Sequence, residues 1–328
     1  VMRASVAAAV TVAAAANDLV SASTGTNTGT FTVTAANLMT GNMFKVGMII
    51  RATGFTTSAV GNNAKNMFIT ALTNKVMTVA TLDGSAILAK TETGAVTLTE
   101  VGKHVSVPLT AHTRDYYTIE HYFSDLTPTL SERFVDCVIS QMDVKLPATG
   151  MATVDFAVMG LDMIPSSGAS YFTAPSPVSN GPILAAANGV VYLGGVAIGL
   201  ITGMNYKVNG NYTTIGGVVG SNVEPDIFPG AVDVDGQVTV LFTDATVRDM
   251  FLNETEVSLY AAFVADNTPN SGFQAVSFSR VKMGGASKDD GEKGLVMTLP
   301  FTALENTAGG AGTTSHATTI TIQDSAFV

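Results

Sequence analysis

The stretch FVDCVISQMDVKLPATGMATVDFAVMG, residues 134–160, decides the fold class. Its first half sets Phe134, Val138 and Met142 on one face of an extended run. Its second half sets Ala152, Val154, Phe156 and Val158 against Met151, Thr153, Asp155 and Ala157. A side-chain period of two belongs to a β-strand, whose successive residues point to opposite faces. Pro147 to Gly150 supplies the turn chemistry between the two runs, so the stretch reads as an antiparallel hairpin.

The same pattern recurs on the C-terminal side. VVYLGGVAIGLI (190–201) reads as a second hairpin, with Gly194 and Gly195 free to take the positive φ of a two-residue turn. GAVDVDGQVTV (230–240), EVSLYAAFV (256–264), QAVSFSRVKM (274–283), LVMTLPFTAL (295–304) and TTITIQD (318–324) add further strands. One helix is expected in TDATVRDMFLNET (243–255): Val247, Met250 and Phe251 form a single apolar stripe, and Thr243 or Asp244 can cap its first turn. The glycine-rich run 306–312 reads as a flexible connection. Residues 106–328 are therefore expected to be mainly β, a two-sheet antiparallel sandwich or partial barrel with one external helix.

Residues 22–105 have a different texture, rich in Thr, Asn and Gly with no acidic residue before Asp83. FKVGMIIRATGF (44–55) and KNMFITALTNKVMTVATL (65–82) read as short strands with a tight turn at Asn74 and Lys75, so this segment is expected to be a small, inserted, decorating β module. The opening VMRASVAAAVTVAAAAND mimics a secretory signal peptide, but its apolar run is weak. The chain opens on Val1, and residues 1–21 are read as the end of a segment that begins further upstream.

Composition narrows the function. A formal charge of −10 opposes a surface that grips nucleic acid, which requires clustered Lys and Arg. Trp is absent, which also removes the stacking platforms of single-strand binders. No run of 18 apolar residues is present, so no membrane span is expected. The single cysteine, Cys137, excludes an internal disulfide framework and reads as a small buried hydrophobe; four dispersed histidines argue against a Cys/His zinc site. No cofactor is expected.

GGASKDDGEKGLVMTLPF (284–301) concentrates charge between two strand-like runs. It fails as a phosphate cradle because Lys288 precedes Asp289 and Asp290 and a strand follows. Asp289, Asp290 and Glu292 offer hard oxygens for calcium, but the aspartates are adjacent rather than alternating, and Lys288 and Lys293 bracket them. His112 with Asp115, or Glu120 with His121, could pair for catalysis. Adjacent strand residues point to opposite faces, however, and no Gly-x-Ser-x-Gly elbow occurs.

Four separated stretches, YTIEHYFSDL (117–126), ERFVDCVISQMDVKLPATGMATVDFAVMGLDM (132–163), VVGSNVEPDIFPGAVDVDGQVTVLFTDATVRDMFLNETEVSL (218–259) and RVKMGGASKDDGEKGLVMTLPFTAL (280–304), together resemble the tail tube, or major tail, proteins of long-tailed, non-contractile bacteriophages. The resemblance implies a non-enzymatic structural subunit that closes into homohexameric rings. The rings stack helically into a conduit for the genome in the virion tail, after assembly in the host cytoplasm. Its implied partners are further copies of itself, a tape measure protein inside the tube, a tail terminator and a distal tail protein, with DNA passing through unbound. Family members carry a longer N-terminal tube segment than the residues present here before the inserted module.

Charge fits that picture, since six copies at −10 give about −60 per ring and like charge keeps DNA off the wall. Asp233, Asp235 and Gln237 alternate with Val232, Val234 and Val238 and, with Asp155, are candidates to face the lumen; an ordinary solvent-exposed sheet face would show the same alternation. Lys288, Asp289, Asp290, Glu292 and Lys293 are candidates for an inter-subunit or inter-ring contact, where such pairs would fix register. Two other classes stay open on sequence: a secreted or surface-displayed β-rich binding protein, and a β-rich hydrolase working through carboxylates.

Overall fold

The computed structural model describes residues 5–6, 10–38, 44–110, 112–147, 150–176, 184, 189–197, 201–221, 223–241, 255–285, 287–289 and 296–326. The expected hairpin is present: Leu130–Pro147 pairs antiparallel with Thr153–Met159, with Val144 opposite Val154 and Met142 opposite Phe156. The expected helix falls at 243–254, outside the described residues.

The large sheet is antiparallel throughout and folds over into two layers without closing into a barrel. One layer runs Thr153–Met159, Leu130–Pro147, Ile201–Asn209, Asp233–Leu241, Val296–Ala303. The other runs Val190–Leu193, Glu256–Val264, Phe273–Met283, Thr321–Asp324, Lys103–Ser106. The Phe273–Met283 strand joins them, pairing through Gln274 to Ser277 with Thr321–Asp324 and through Val281 to Met283 with Val296–Ala303. Gly194 and Gly195 turn the Val190–Leu193 hairpin at φ 59° and 82°, a geometry that costs a β-carbon dearly.

Between the layers lies the main core. Val144, Leu146, Met204, Tyr206, Val238 and Leu299 come from one side and Leu193, Leu259, Phe263 and Phe278 from the other. Gly236 sits in the row Tyr206, Gly236, Phe301, where the missing side chain admits the Phe301 ring.

A second, eight-stranded antiparallel sheet takes in Thr11–Ala14 and Leu19–Ser23 as well as the strands between Thr28 and Glu100, and wraps a core of its own around Phe31, Phe44, Ile50 and Met67. Asp18 fastens its edge, taking the N–H groups of Thr34, Ala35 and Ala36, and those backbone bonds hold its carboxyl below the usual range.

The two sheets share a third core. Ile49, Phe68, Leu82 and Val101 pack against Tyr192, Tyr260, Val264 and Phe273, with Phe68 stacked on Tyr192 at 5.0 Å between ring centres. Glu256–Val264 is thus buried on both faces: Leu259, Ala261 and Phe263 enter the main core, and Tyr260, Ala262 and Val264 the shared one. Gln323, inside the Thr321–Asp324 strand, completes the seam by exchanging hydrogen bonds with the backbone of Ile49 and reaching the Val101 carbonyl. The glycine-rich run expected to be a flexible connection is held in place, because Lys45 Nζ donates to the carbonyls of Gly310 and Thr313.

Candidate assembly surface

The 18-residue strand Leu130–Pro147 does two jobs. From Gln141 onward it belongs to the main layer, paired with Ile201–Asn209. From Leu130 to Val135 it is the middle strand of a three-stranded arm, flanked by Tyr117–Phe123 and Asp162–Ser167. Asp136, at φ 52°, marks the break between the two, where one extra residue opposite Tyr117 to Ile119 makes a bulge that re-aims the strand.

Among the described residues the arm has no core of its own. Tyr117, Tyr122, Phe123, Met163, Ile164, Tyr171 and Phe172 are exposed, and none of the arm's residues belongs to the three apolar clusters. Its order is polar. Glu120 takes the hydroxyl of Ser131 and the N–H groups of Tyr171 and Phe172, which keep its carboxyl below the usual range. Arg133 lies 4.3 Å over the Tyr171 ring.

Beside the arm, Thr153–Met159 is an edge strand among the described residues, pairing only with Leu130–Pro147. The alternation read from the sequence holds, with Val154, Phe156 and Val158 on the same side as Val144, but the second layer stops short of them, and Phe156 is 57% exposed. An apolar strand face that continues the core surface beyond its cover is an unfinished contact.

The opposite, polar face of this layer gathers the proposed lumen residues. Asp155 stands opposite Asp143, Asp143 opposite Lys207, and Lys207 opposite Asp235; Gln237 lies opposite Asn205, and Asp233 opposite Asn209. Asp155, Asp233, Asp235 and Gln237 are all exposed on that face. Lys145 reaches Asp155 at 2.6 Å, and this hydrogen bond and charge raise its ammonium pKa. Lys145 and Lys207 therefore stand among the carboxylates of this face, which remain in excess.

Of the proposed contact residues, Lys288 and Asp289 lie in Ser287–Asp289, which pairs with Val296–Ala303, Lys288 opposite Met297 and Asp289 opposite Val296. Asp290, Glu292 and Lys293 fall outside the described residues.

Glu120 and His121, weighed as a catalytic pair, are engaged separately: Glu120 is spent on the Tyr171 segment, and His121 packs edge-on to Phe134. Cys137 is buried, and burial with the neighbouring Asp136 charge pushes its thiol up, away from thiolate reactivity. Among the described residues no group of three His, Cys, Asp or Glu side chains is placed to hold a metal ion, and no helix is long and apolar enough to cross a membrane. The arm was missed in the sequence, although YYTIEHYF carries its signal: aromatic residues at successive positions that no single buried face can absorb.

An antiparallel β-sandwich with an uncovered apolar edge and a coreless arm defines a structural subunit built for association. The chain belongs to the phage tail tube protein family, whose match spans residues 2–308 and so runs through both sheets. No curated protein matches it. It is accordingly a structural component of a virion tail.

Proposed function

We infer that the subunit closes into hexameric rings that stack into the tail tube, with the Asp143, Asp155, Asp233 and Asp235 face turned to the bore and the apolar edge and arm covered by neighbouring copies. The observation that carries this reading is the edge strand. Val154, Phe156 and Val158 extend the core face past its cover, and burying an apolar side chain of that size contributes about 1.5–3 kcal/mol. The bore wall then carries a carboxylate excess tempered by Lys145 and Lys207, weakly repulsive to DNA rather than uniformly acidic. No bond is made or broken; genome passage rests on geometry and charge. Tape measure, terminator and distal tail proteins meet the tube inside and at its ends, and assembly proceeds in the host cytoplasm.

The test is Phe156→Asp, with far-UV circular dichroism as the fold control. The parent chain should give rings or tubes with six-fold end views by negative-stain microscopy and a concentration-dependent sedimentation coefficient. The variant should keep its β spectrum and stay dispersed. Equal assembly by the variant would refute the role of the edge strand.

A further inference from the structure

Residues 306–319 form a strap across the seam between the two sheets. On the large-sheet side, Asn306 Nδ2 donates to Ser279 Oγ and the Thr318 hydroxyl donates to the Val107 carbonyl at 2.7 Å. On the other side, the Val46 N–H donates to the Thr314 carbonyl at 2.9 Å, and Lys45 Nζ donates to the carbonyls of Gly310 and Thr313. The strap's centre is His316. The residue is half-buried; its ring lies 4.9 Å from that of His104, and its Nε2 is buried with no hydrogen-bond partner among the described residues.

Among the described residues, the ionisable groups around it are two cations or cation-formers and one spoken-for anion. Lys45 is buried and held by the strap's own carbonyls. His104 Nδ1 meets Glu100 Oε1 at 2.6 Å, and Glu100 Oε2 already accepts the Val10 N–H at 3.0 Å. A proton on His316 would thus place a cation, its Nε2 end buried, beside Lys45 and His104, with Glu100 bound to His104 instead. An uncompensated buried charge is expelled rather than tolerated.

We propose that the His316–His104 contact is an acid-operated latch: protonation of His316 holds the strap open and loosens the eight-stranded sheet from the large one. The closed form excludes the proton, as burial first, then His104 and Lys45, push the His316 imidazole down to about 3 from its usual 6.5. The open form takes the proton at the usual value. Opening therefore gains about tenfold for each pH unit below roughly 6 and levels off near pH 3. Above pH 6.5 both forms are neutral and the latch is silent.

Hydrogen exchange of the full chain, corrected for the intrinsic pH dependence of amide chemistry, reads this directly. Amides of 306–319 should open about tenfold more between pH 5.5 and 4.5, while those of Thr28–Val33, deep in the second core, should not follow. His316→Leu should abolish that slope. An equal slope in the variant, or a flat profile in the parent, overturns the proposal. Should the variant fail to fold, imidazole NMR of the parent decides: a His316 resonance titrating near 6.5 with the strap closed overturns it, and one silent until the strap opens supports it.

Discussion

Replacing Gln323 by Leu should destabilise the whole protein, because one carboxamide completes the seam between the sheets. Its Oε1 accepts the Ile49 N–H at 2.8 Å, and its Nε2 donates to the carbonyls of Ile49 and Val101, each at 2.8 Å. The side chain is 3% exposed, so water cannot substitute. The Ile49 carbonyl keeps a second donor, the Val101 N–H at 3.1 Å. Leucine therefore strands two groups, the Ile49 N–H and the Val101 carbonyl. At about 1–3 kcal/mol for each buried unsatisfied group, the loss is about 2–6 kcal/mol. Urea unfolding of the dilute chain should show a midpoint lowered by on the order of 1 M. The chain has no tryptophan, so tyrosine fluorescence reports, and Tyr192 and Tyr260 stand at the seam. Gln323→Glu separates hydrogen bonding from shape. It keeps the acceptor for Ile49 but turns a carboxylate toward two carbonyls, so at neutral pH it should be worse than Leu and recover as the carboxyl protonates. A Leu variant within about 0.5 kcal/mol of the parent, the range of an inconsequential surface change, would refute the reasoning.

Two further outcomes follow from local geometry. Gly236→Ala would place a β-carbon 2.3 Å from the Asn205 carbonyl oxygen and 2.7 Å from the Phe301 ring; the overpacking should cost about 1–3 kcal/mol, and a variant with an unchanged urea midpoint would contradict it. Glu92 is buried, which raises its carboxyl, but the Thr56 hydroxyl and N–H, Lys90 and the Gly94 N–H bring it down to about 2. Its contribution is present above the usual 4.5 and is lost as pH falls from there toward 2. Glu92→Gln should flatten the acid limb of stability below pH 4.5 while leaving the strap's dependence between 6.5 and 4.5 intact; a limb identical to the parent's would remove Glu92 from the account.

Period-two patterning made the strands legible, since burial on one face writes itself into alternate residues. The hairpin at 134–160, the Gly194 and Gly195 turn and the two-faced Glu256–Val264 strand were all readable that way. The seam was not. Gln323 looks like any polar residue on an outer face, and Ile49 and Phe68 look like the private core of a small module; only long-range pairing makes them one contact. Likewise the run 306–312 is loop-like in composition, and nothing local announces that Lys45, about 265 residues away, will cap its carbonyls. The lumen candidates were legible as one face, but the lysines between the aspartates emerge only from cross-strand register.

That register bears on how copies meet. The uncovered surfaces differ in kind: the edge strand offers aliphatic and aromatic side chains on one flat side, and the arm offers aromatics on a ribbon that Glu120 and Arg133 stiffen. A two-fold dimer needs one self-complementary patch, whereas two unlike patches meet head to tail, and such contacts propagate until rotation closes them into a ring. An arm without a core is marginal by itself, since a few short strands need a covered apolar face to hold together. In the ring proposed above, a neighbouring copy supplies the missing layer. The arm's fold and the ring's closure become one equilibrium, so arm amides should gain exchange protection only on assembly, and protection already complete in dilute monomer would uncouple the two.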